Sequence, residues 1–244
     1  MKRCVVLALF VSLPCWAGRS FNGSTDLTTV PGVGNAIDLT GSAATWSCWF
    51  KMANLPGSGN TFSCMSKWNT GGTGGYTFTI NDPATNQLQF YFYISIPLNH
   101  LQTVTCSTVL SANVWYNAVA VYANDADAEI YLNGSLCGTD LSVGSVGHLV
   151  SSGGSLLLGG TVQSAFCCNF SGLIAESAVW DVRLSPGQIQ SLATVCPNAI
   201  GVPPVGYWPF WGASGSLIEP DLSGNVQSAT LTGTSTADHP PCTP

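Results

Sequence analysis

The feature that most constrains this chain is a pair of apolar segments at residues 115–134 that ends in Asn-Gly. The first segment, Trp115–Tyr122, alternates so that Tyr and Ala lie on one face and Trp, Asn and Val lie on the other. The second segment, Glu129–Leu132, leads into Asn133-Gly134, a pair that tolerates the positive φ angles of a tight hairpin turn. Because both faces of the first segment carry much apolar surface, the pattern predicts a hairpin in the middle of a β-sandwich.

Composition favours short strands joined by turns. The chain has 244 residues, of which 7% are charged and 27 are glycine, and this profile argues against long solvated helices. The formal net charge is -6, and there are six basic residues in all. Nucleic acid is therefore excluded as a partner, because phosphate recognition needs clustered Lys and Arg side chains.

The amino terminus has the pattern of a secretory signal peptide. Two basic residues precede an apolar run of about ten residues, too short to span a bilayer of about 30 Å. Small residues precede a cleavage point after Ala17, so residues 1–17 are predicted to be removed. The mature chain is then expected to be extracellular and not inserted in a membrane. Pro14 before Cys15 argues against lipid anchoring, which needs a small residue there. In the alternative, the leader is not part of the natural product, which begins near Arg19.

Loss of the leader removes two of the ten cysteines and leaves an even number in an oxidising compartment, so disulfides are expected. Their connectivity stays open, although adjacent Cys167 and Cys168 are expected to bond to different partners, because a ring between neighbours is strained. Free buried thiols at some positions are the alternative. The chain has no C-x-x-C pair and only three histidines, and both facts argue against a zinc site. The disulfide candidates are Cys48, Cys64, Cys106, Cys137, Cys167, Cys168, Cys196 and Cys242.

Further strands are predicted where alternating segments lie between turn residues, at 44–51, 61–67, 76–80, 88–96, 103–109, 155–158 and 173–180. The segment Ser185–Gln188 is a capping box, with serine as N-cap and proline at the first helical position, and predicts one short helix to about residue 192. We expect one sandwich domain over residues 18–196. A Pro/Gly-rich segment at 197–244 is expected to pack on it or extend it.

Seven short motifs follow one another between residue 20 and about residue 193. They are Ser20–Asp26, Ala44–Lys51, Trp115–Tyr122, Ile130–Gly134, Leu157–Gly160, Phe170–Ile174 and Leu184–Ile189. In this order they resemble the laminin G-like (LamG) domain of the concanavalin A-like lectin/glucanase superfamily. The resemblance implies an all-β jelly roll of two antiparallel sheets, each of six or seven strands, with one short helix near the C-terminus.

The resemblance also raises the question of a metal. Many relatives bind Ca²⁺ through a carboxylate of the opening motif and another in the late strand. Asp26 matches the first position, but Ala175 stands at the second and Glu176 follows it. Calcium needs several oxygen ligands at about 2.3–2.6 Å. Asp26, Asn22 and Glu176 are the candidate ligands for one structural Ca²⁺, and the departure at Ala175 leaves open whether the site forms.

No catalytic residue is predicted. Glycanases of this superfamily use two carboxyl groups about 5–5.5 Å apart on one strand. The glutamates of this chain are Glu129, Glu176 and Glu219. Asp127 shares a strand face with Glu129, but it belongs to the expected solvated tip of the hairpin. We therefore expect a protein that is not an enzyme.

A glycan site needs aromatic surfaces for the apolar face of the sugar and amide or carboxylate groups for its hydroxyls. The segment 87–94 has this pattern if its Leu, Phe and Ile residues point into the core. The alternative is that the tyrosines simply fill a half-exposed strand. Trp68, in a glycine-rich loop, is a further candidate that could instead cap the core. The predicted ligand-binding row is Gln87, Gln89, Tyr91 and Tyr93.

Two classes of function follow from these patterns. The first is a secreted, non-catalytic binding module that recognises a glycan or a cell-surface partner through a sandwich face or its loops. The alternative is a structural or adhesive decoration protein of a virion or cell surface, in which the sandwich serves as a stable building block. A glycan-cleaving enzyme with an unrecognised site is a third and more distant reading.

Overall fold

The computed structural model describes residues 18–242 except positions 33, 58–59, 70, 72, 82–84, 96–99, 141–146, 163–167 and 214. The predicted signal peptide and Cys167 lie outside the described residues. Within the described part of the chain, no helix is both long and apolar enough to cross a bilayer.

Sixteen strands and one α-helix, together with a short 3₁₀-helix at Pro197–Ala199, form the described structure. In chain order they are β1 (Gly18–Asn22), β2 (Leu27–Val30), β3 (Ala43–Met52), β4 (Thr61–Trp68), β5 (Gly75–Asn81), β6 (Gln87–Ile94), β7 (His100–Val109), β8 (Trp115–Ala123), β9 (Ala126–Leu132), β10 (Ser135–Asp140), β11 (Leu156–Leu158), β12 (Ser171–Trp180), α1 (Pro186–Ser191), β13 (Gly206–Trp208), β14 (Ile218–Glu219), β15 (Ala229–Thr232) and β16 (Ser235–Ala237).

The strands form two antiparallel sheets. Sheet A has the order β10-β9-β8-β3-β12-β1-β16, with β13 paired to the second half of β12. Sheet B has the order β14-β15-β2-β11-β4-β5-β6-β7. The predicted two-sheet sandwich is confirmed, but each sheet has eight strands instead of six or seven. The difference arises because the C-terminal segment adds two strands to each sheet.

The core between the sheets is rich in aromatic side chains. Trp46 of sheet A is fully buried and contacts Tyr76 and Phe90 of sheet B, with ring centroids 5.1 and 4.8 Å apart. Burial of a large apolar side chain stabilises a fold by roughly 1.5–3 kcal/mol. These rings, supplied by alternate positions of facing strands, therefore hold the two layers together.

Strand β8 is apolar on both faces because both faces are buried. It lies between β3 and β9, and Tyr116 and Tyr122 point into the core between the sheets. On the opposite face, Val119 and Val121 pack in a second apolar cluster with Ile189 of helix α1. The helix therefore covers the outer side of sheet A, which explains why this strand departs from a simple polar-apolar alternation.

The turns and caps follow their predicted chemistry. Asn133 and Gly134 have φ angles of 50° and 77°, as a two-residue hairpin turn requires, and they connect β9 to β10. Ser185 caps α1: its side chain accepts a hydrogen bond from the Gln188 N–H, and the Gln188 side chain accepts one from the Ser185 N–H. The predicted hairpin turn and capping box are both confirmed.

One disulfide joins the two sheets at their edges. Cys106 of β7 bonds to Cys137 of β10, and these strands are the neighbouring edges of sheets B and A. The bridge therefore closes one side of the sandwich, and the prediction of a disulfide is confirmed for this pair of candidates. Cys168 is also disulfide-bonded.

Four other cysteines form two close pairs of buried thiols. The Sγ atoms of Cys48 and Cys64 are 3.2 Å apart in the core, and those of Cys196 and Cys242 are 3.5 Å apart on the outer side of sheet A. The described structure thus contains both outcomes that the sequence left open, disulfides and buried thiols.

Candidate functional site

Strand β6 has the predicted register. Leu88, Phe90, Phe92 and Ile94 are at most 1% exposed and belong to the core. Gln89 and Tyr91 therefore lie on the outer face of sheet B, where the Tyr91 hydroxyl donates to Gln89 Oε1 at 2.5 Å. Gln89 Nε2 donates to Thr105 Oγ1 of the neighbouring strand at 3.1 Å. These polar groups form a connected, half-buried row with Gln87 at its end.

Tyr93 and Trp68 do not extend this row as exposed platforms. They are 9% and 4% exposed, and their ring centroids lie 5.1 Å apart. The strand register places Gly75 between them, where it has no side chain to separate the rings. The two rings therefore pack against each other with their planes tilted by 49°, and they are unavailable as a flat surface for a sugar. Periodicity cannot reveal this, because the covering contact comes from another strand.

A polar cleft of about 410 Å³ opens at one end of the sandwich. It lies where the β1–β2 turn, the connection from β3 to β4 and the segment before β12 come together. Phe62 contributes an aromatic edge, and the remaining lining is mostly amide and hydroxyl groups. The side chains that give the cleft its polarity are Asn22, Asn54, Asn60, Thr61, Asn169 and Ser171. Of these residues, only Asn22 was predicted as a site residue from the sequence, because the others come from distant segments that share no local pattern.

Several cleft side chains are held in place by hydrogen bonds. Ser171 Oγ donates to Asn54 Oδ1 at 2.9 Å, and the Asn169 side-chain amide donates to the Ser24 carbonyl. An amide group can donate and accept at once. The cleft therefore presents prearranged donors and acceptors of the kind that recognise hydroxyl groups.

The three candidate calcium ligands do not come together. Asn22 Oδ1 accepts the backbone N–H groups of Ser24, Thr25 and Asp26, and Asp26 Oδ2 accepts the N–H of Asn22 at 3.0 Å. These oxygens therefore organise the β1–β2 turn. Asn22 pairs with Ser171 of β12, and Glu176 lies five residues further along the same strand. At the rise per residue of a β-strand, these five residues span about 16 Å. The described geometry does not gather an oxygen cage from these residues.

Glu176 instead occupies a buried polar cluster on the outer side of sheet A. It sits at a bulge in β12 with a φ of 50° and no solvent exposure. Its Oε2 accepts from the Tyr207 hydroxyl at 2.5 Å, and its Oε1 accepts from Trp211 Nε1 at 2.6 Å. His239 Nε2 lies 2.8 Å from the same Oε1. Positive φ in a non-glycine residue costs free energy and is retained where the surroundings enforce it.

Burial and the carboxylate raise the pKa values of groups around this cluster. Burial, followed by the nearby Glu176 charge, raises the pKa of Tyr207 well above its usual range. The neighbouring Cys242 thiol, followed by burial, raises the pKa of Cys196. The Tyr207 phenol is therefore neutral at pH 7 and donates to the buried carboxylate, and the Cys196 thiol is neutral as well.

Each of the other two glutamates has its own partners. Arg183 Nη2 and the Tyr131 hydroxyl donate to Glu129 Oε2 at 2.6 and 2.7 Å, and burial together with Glu129 raises the pKa of Tyr131 to about 12. Glu219 pairs with Arg19 at 3.5 Å, and both side chains are fully buried. The three glutamates thus lie in three separate hydrogen-bonded settings instead of forming an acid–nucleophile pair.

Similar proteins share this architecture. A native heptameric SAP-like pentraxin of Limulus polyphemus superposes with a TM-score of 0.61 at 18% identity, covering 95% of this chain and 99% of that one. A candidate carbohydrate-binding protein of Bacteroides ovatus gives 0.66 at 16% identity, over 93% of this chain and 61% of that one. Domain 4 of AbnA, an extracellular arabinanase of Geobacillus stearothermophilus solved with arabinotriose, gives 0.53 at 17% identity, over 72% and 76%. These likenesses concern the fold.

Curated relatives are much longer than this chain. The rat (Rattus norvegicus) sushi, von Willebrand factor type A, EGF and pentraxin domain-containing protein 1 is 26% identical over 175 residues, which are 68% of this chain and 4% of the relative. The mouse (Mus musculus) protein of the same name is 28% identical over 120 residues, 46% of this chain and 3% of the relative. The Laminin_G_3 family profile matches residues 22–190, most of the chain. The chain therefore belongs to the Laminin_G_3 family of the concanavalin A-like lectin/glucanases superfamily.

Proposed function

We propose that this chain is an extracellular, non-catalytic binding module that recognises a glycan in the polar cleft beside the β1–β2 turn. The observation that carries the proposal is the cleft itself, in which four asparagine side chains and two hydroxyls surround a volume of about 410 Å³. Small-molecule sites are concave and use a few fixed polar groups to orient the ligand. A sugar ring offers hydroxyls to the amides, and the edge of Phe62 offers an apolar contact.

The cleft is a better candidate than the outer face of sheet B. On that face, Tyr93 and Trp68 are buried against each other, which leaves Tyr91 as the aromatic side chain of the predicted row. The Tyr91 and Gln89 side chains are also engaged with each other. The likeness to carbohydrate-binding folds and the predicted leader support an extracellular glycan-binding role.

The test is a glycan array probed with the mature chain, followed by calorimetry on the best ligand. The variant Asn54→Ala/Asn60→Ala should weaken binding roughly tenfold or more, since two or more hydrogen bonds to the ligand are lost. The matched control Gln89→Ala/Tyr91→Ala changes the sheet B face and should leave affinity unchanged.

Each outcome bears on a different part of the proposal. If the control variant weakens binding and the cleft variant does not, the ligand lies on sheet B and the cleft assignment is wrong. If the folded mature chain binds no glycan on the array, glycan recognition is wrong, and a protein partner or a decoration role takes its place.

We also expect no glycan cleavage. A retaining glycosidase needs two carboxyl groups about 5–5.5 Å apart. In this chain, Glu129 is paired with Arg183 and Glu219 is paired with Arg19. The third glutamate, Glu176, is buried. Incubation with laminarin, agar or alginate should release no reducing ends above a heat-denatured control. Release that disappears after one carboxylate substitution would show that the chain is an enzyme.

A further inference from the structure

Three distant segments bring nitrogen, oxygen and sulfur ligands together on the outer side of sheet A. The β12 bulge supplies Glu176, the segment after helix α1 supplies Cys196, and the C-terminal segment supplies His239 and Cys242. Ligand atoms of Glu176, His239 and Cys242 all lie within 4.8 Å of one another. Cys196 Sγ is 3.5 Å from Cys242 Sγ, which adds a second sulfur beside this group.

The orientation of His239 aims its ring at Glu176. Nδ1 lies 2.7 Å from the Pro240 carbonyl oxygen, and this contact fixes the ring. Nε2 lies 2.8 Å from Glu176 Oε1. A nitrogen ligand and an oxygen ligand therefore face each other beside the sulfur of Cys242.

We propose that, while Cys196 and Cys242 are thiols, this cluster binds a zinc-class divalent cation through His239 Nε2, Glu176 Oε1 and the two sulfur atoms. Zinc is bound by cysteine, histidine and carboxylate ligands at about 2.0–2.3 Å, usually in a tetrahedron of four. Tetrahedral ligands at those lengths are separated by about 3.3–3.8 Å. The sulfur pair already has such a spacing, and the ligand atoms of Glu176, His239 and Cys242 lie within 4.8 Å of one another before any metal is bound. Calcium and magnesium are excluded, since both prefer oxygen ligands.

The surroundings provide the outer hydrogen bonds that metal ligands need. The Pro240 carbonyl fixes the His239 ring, and Tyr207 and Trp211 donate to the Glu176 carboxylate. Such outer partners orient ligands and tune the metal. Because Glu176, Cys196 and Cys242 are at most 6% exposed, the site has no open position for a substrate and is structural. It fastens the C-terminal segment to the bulge of β12.

Metal binding and disulfide formation compete for the same sulfurs. On binding, each thiol loses its proton and each sulfur donates a lone pair to the cation. An oxidant of the disulfide class, such as oxidised glutathione, instead converts the two thiols into one disulfide and is itself reduced to two thiols. The site therefore exists in the dithiol form alone, and oxidation releases the metal.

The test uses the mature chain, reduced without oxygen, dialysed against Zn²⁺ or Co²⁺ and then freed of loose metal. We expect one zinc per chain by elemental analysis, and a cobalt–thiolate charge-transfer band in the near ultraviolet. Cys242→Ser and His239→Gln should each weaken binding by more than the roughly 10–100-fold typical of outer-shell changes. Far-ultraviolet circular dichroism would verify that both variants remain folded.

Two matched controls separate this site from other thiols and histidines. Cys48→Ala changes the buried thiol pair of the core, and His148→Gln changes a histidine outside the cluster. Both should bind zinc as the unaltered chain does. A reduced chain that takes up no zinc would overturn the proposal, as would equal loss of zinc in the controls. The same conclusion follows if the Cys196–Cys242 pair can be reduced only by unfolding the protein.

Discussion

Replacement of Cys106 and Cys137 by alanine is expected to lower the free energy of unfolding by about 3–4 kcal/mol. The bridge spans 31 residues, and a crosslink that closes such a loop reduces the conformational entropy of the unfolded chain by an equivalent amount. It also joins the edge strand of sheet B to the edge strand of sheet A, where β7 and β10 pack side by side. The loss should appear as a lower urea midpoint, measured by tryptophan fluorescence.

Comparison with another buried cysteine tests whether the effect belongs to the bridge. Cys48→Ala removes a core thiol whose sulfur is not bonded to Cys64, so it should cost only the smaller free energy of lost packing. If the paired Cys106/Cys137 variant unfolds at the same urea concentration as the unaltered chain, the bridge does not stabilise the sandwich. The slope m should be compared as well, because release of the crosslink exposes more chain on unfolding.

The second large effect is expected from Arg19→Met, at roughly 3–5 kcal/mol of lost stability. Arg19 and Glu219 are both fully buried and are separated by 3.5 Å, so the substitution leaves a buried carboxylate without its cation. The backbone N–H groups of Phe210 and Gly212 still donate to Glu219 but carry no net charge. The double variant Arg19→Met/Glu219→Met should recover most of the loss, because an apolar pair removes both desolvation penalties.

The pH dependence gives an independent measurement of the same pair. Burial already raises the pKa of Glu219 above its usual range although Arg19 opposes the shift, and removal of Arg19 raises it further. The folded variant then binds a proton that the unfolded chain has released, so its stability falls as pH rises above the ordinary glutamate pKa. The deficit relative to the unaltered chain should therefore shrink as pH is lowered toward that value.

A surface pair serves as the control for Arg19. Lys51 lies 3.8 Å from Asp238, whose side chain is 86% exposed, and water screens this interaction. Asp238→Asn should leave the urea midpoint nearly unchanged. Equal effects of Arg19→Met and Asp238→Asn, or a double variant no more stable than Arg19→Met, would contradict the assignment of a buried ion pair.

Local patterns in the sequence were sufficient for the main elements of the fold. The alternation in Trp115–Tyr122, the Asn133-Gly134 turn and the capping box at Ser185 each depend on neighbouring residues, and the structure has all three. The register of β6 was also predictable, since Phe90 and Phe92 have no polar atom to satisfy in the core whereas tyrosine does. Short-range chemistry decides these features, so it can be read from adjacent positions.

The exposure of particular side chains was decided by tertiary contacts. Tyr93 has the outward direction that alternation assigns to it, but Trp68 of β4 packs on its ring across Gly75. Likewise, the asparagines at positions 54, 60 and 169 become one cleft because β1 and β3 end, and β4 and β12 begin, at the same end of the sandwich. No local pattern encodes which loops meet.

By itself, the sequence determined the class of fold, the hairpin, the helix cap and the use of disulfides. Hydrophobic periodicity and turn propensity are properties of neighbouring residues, and the number of cysteines is a property of the whole composition. Only the tertiary structure decided which cysteine bonds to which, which aromatics are covered, and where Glu176 lies. The spacing of cysteines and histidines argued against zinc, yet folding brings His239 and Cys242 to within 4.8 Å of that carboxylate. The physical reason is that strand pairing between distant segments fixes these distances, and the free energy that selects the pairing is distributed over the whole buried core.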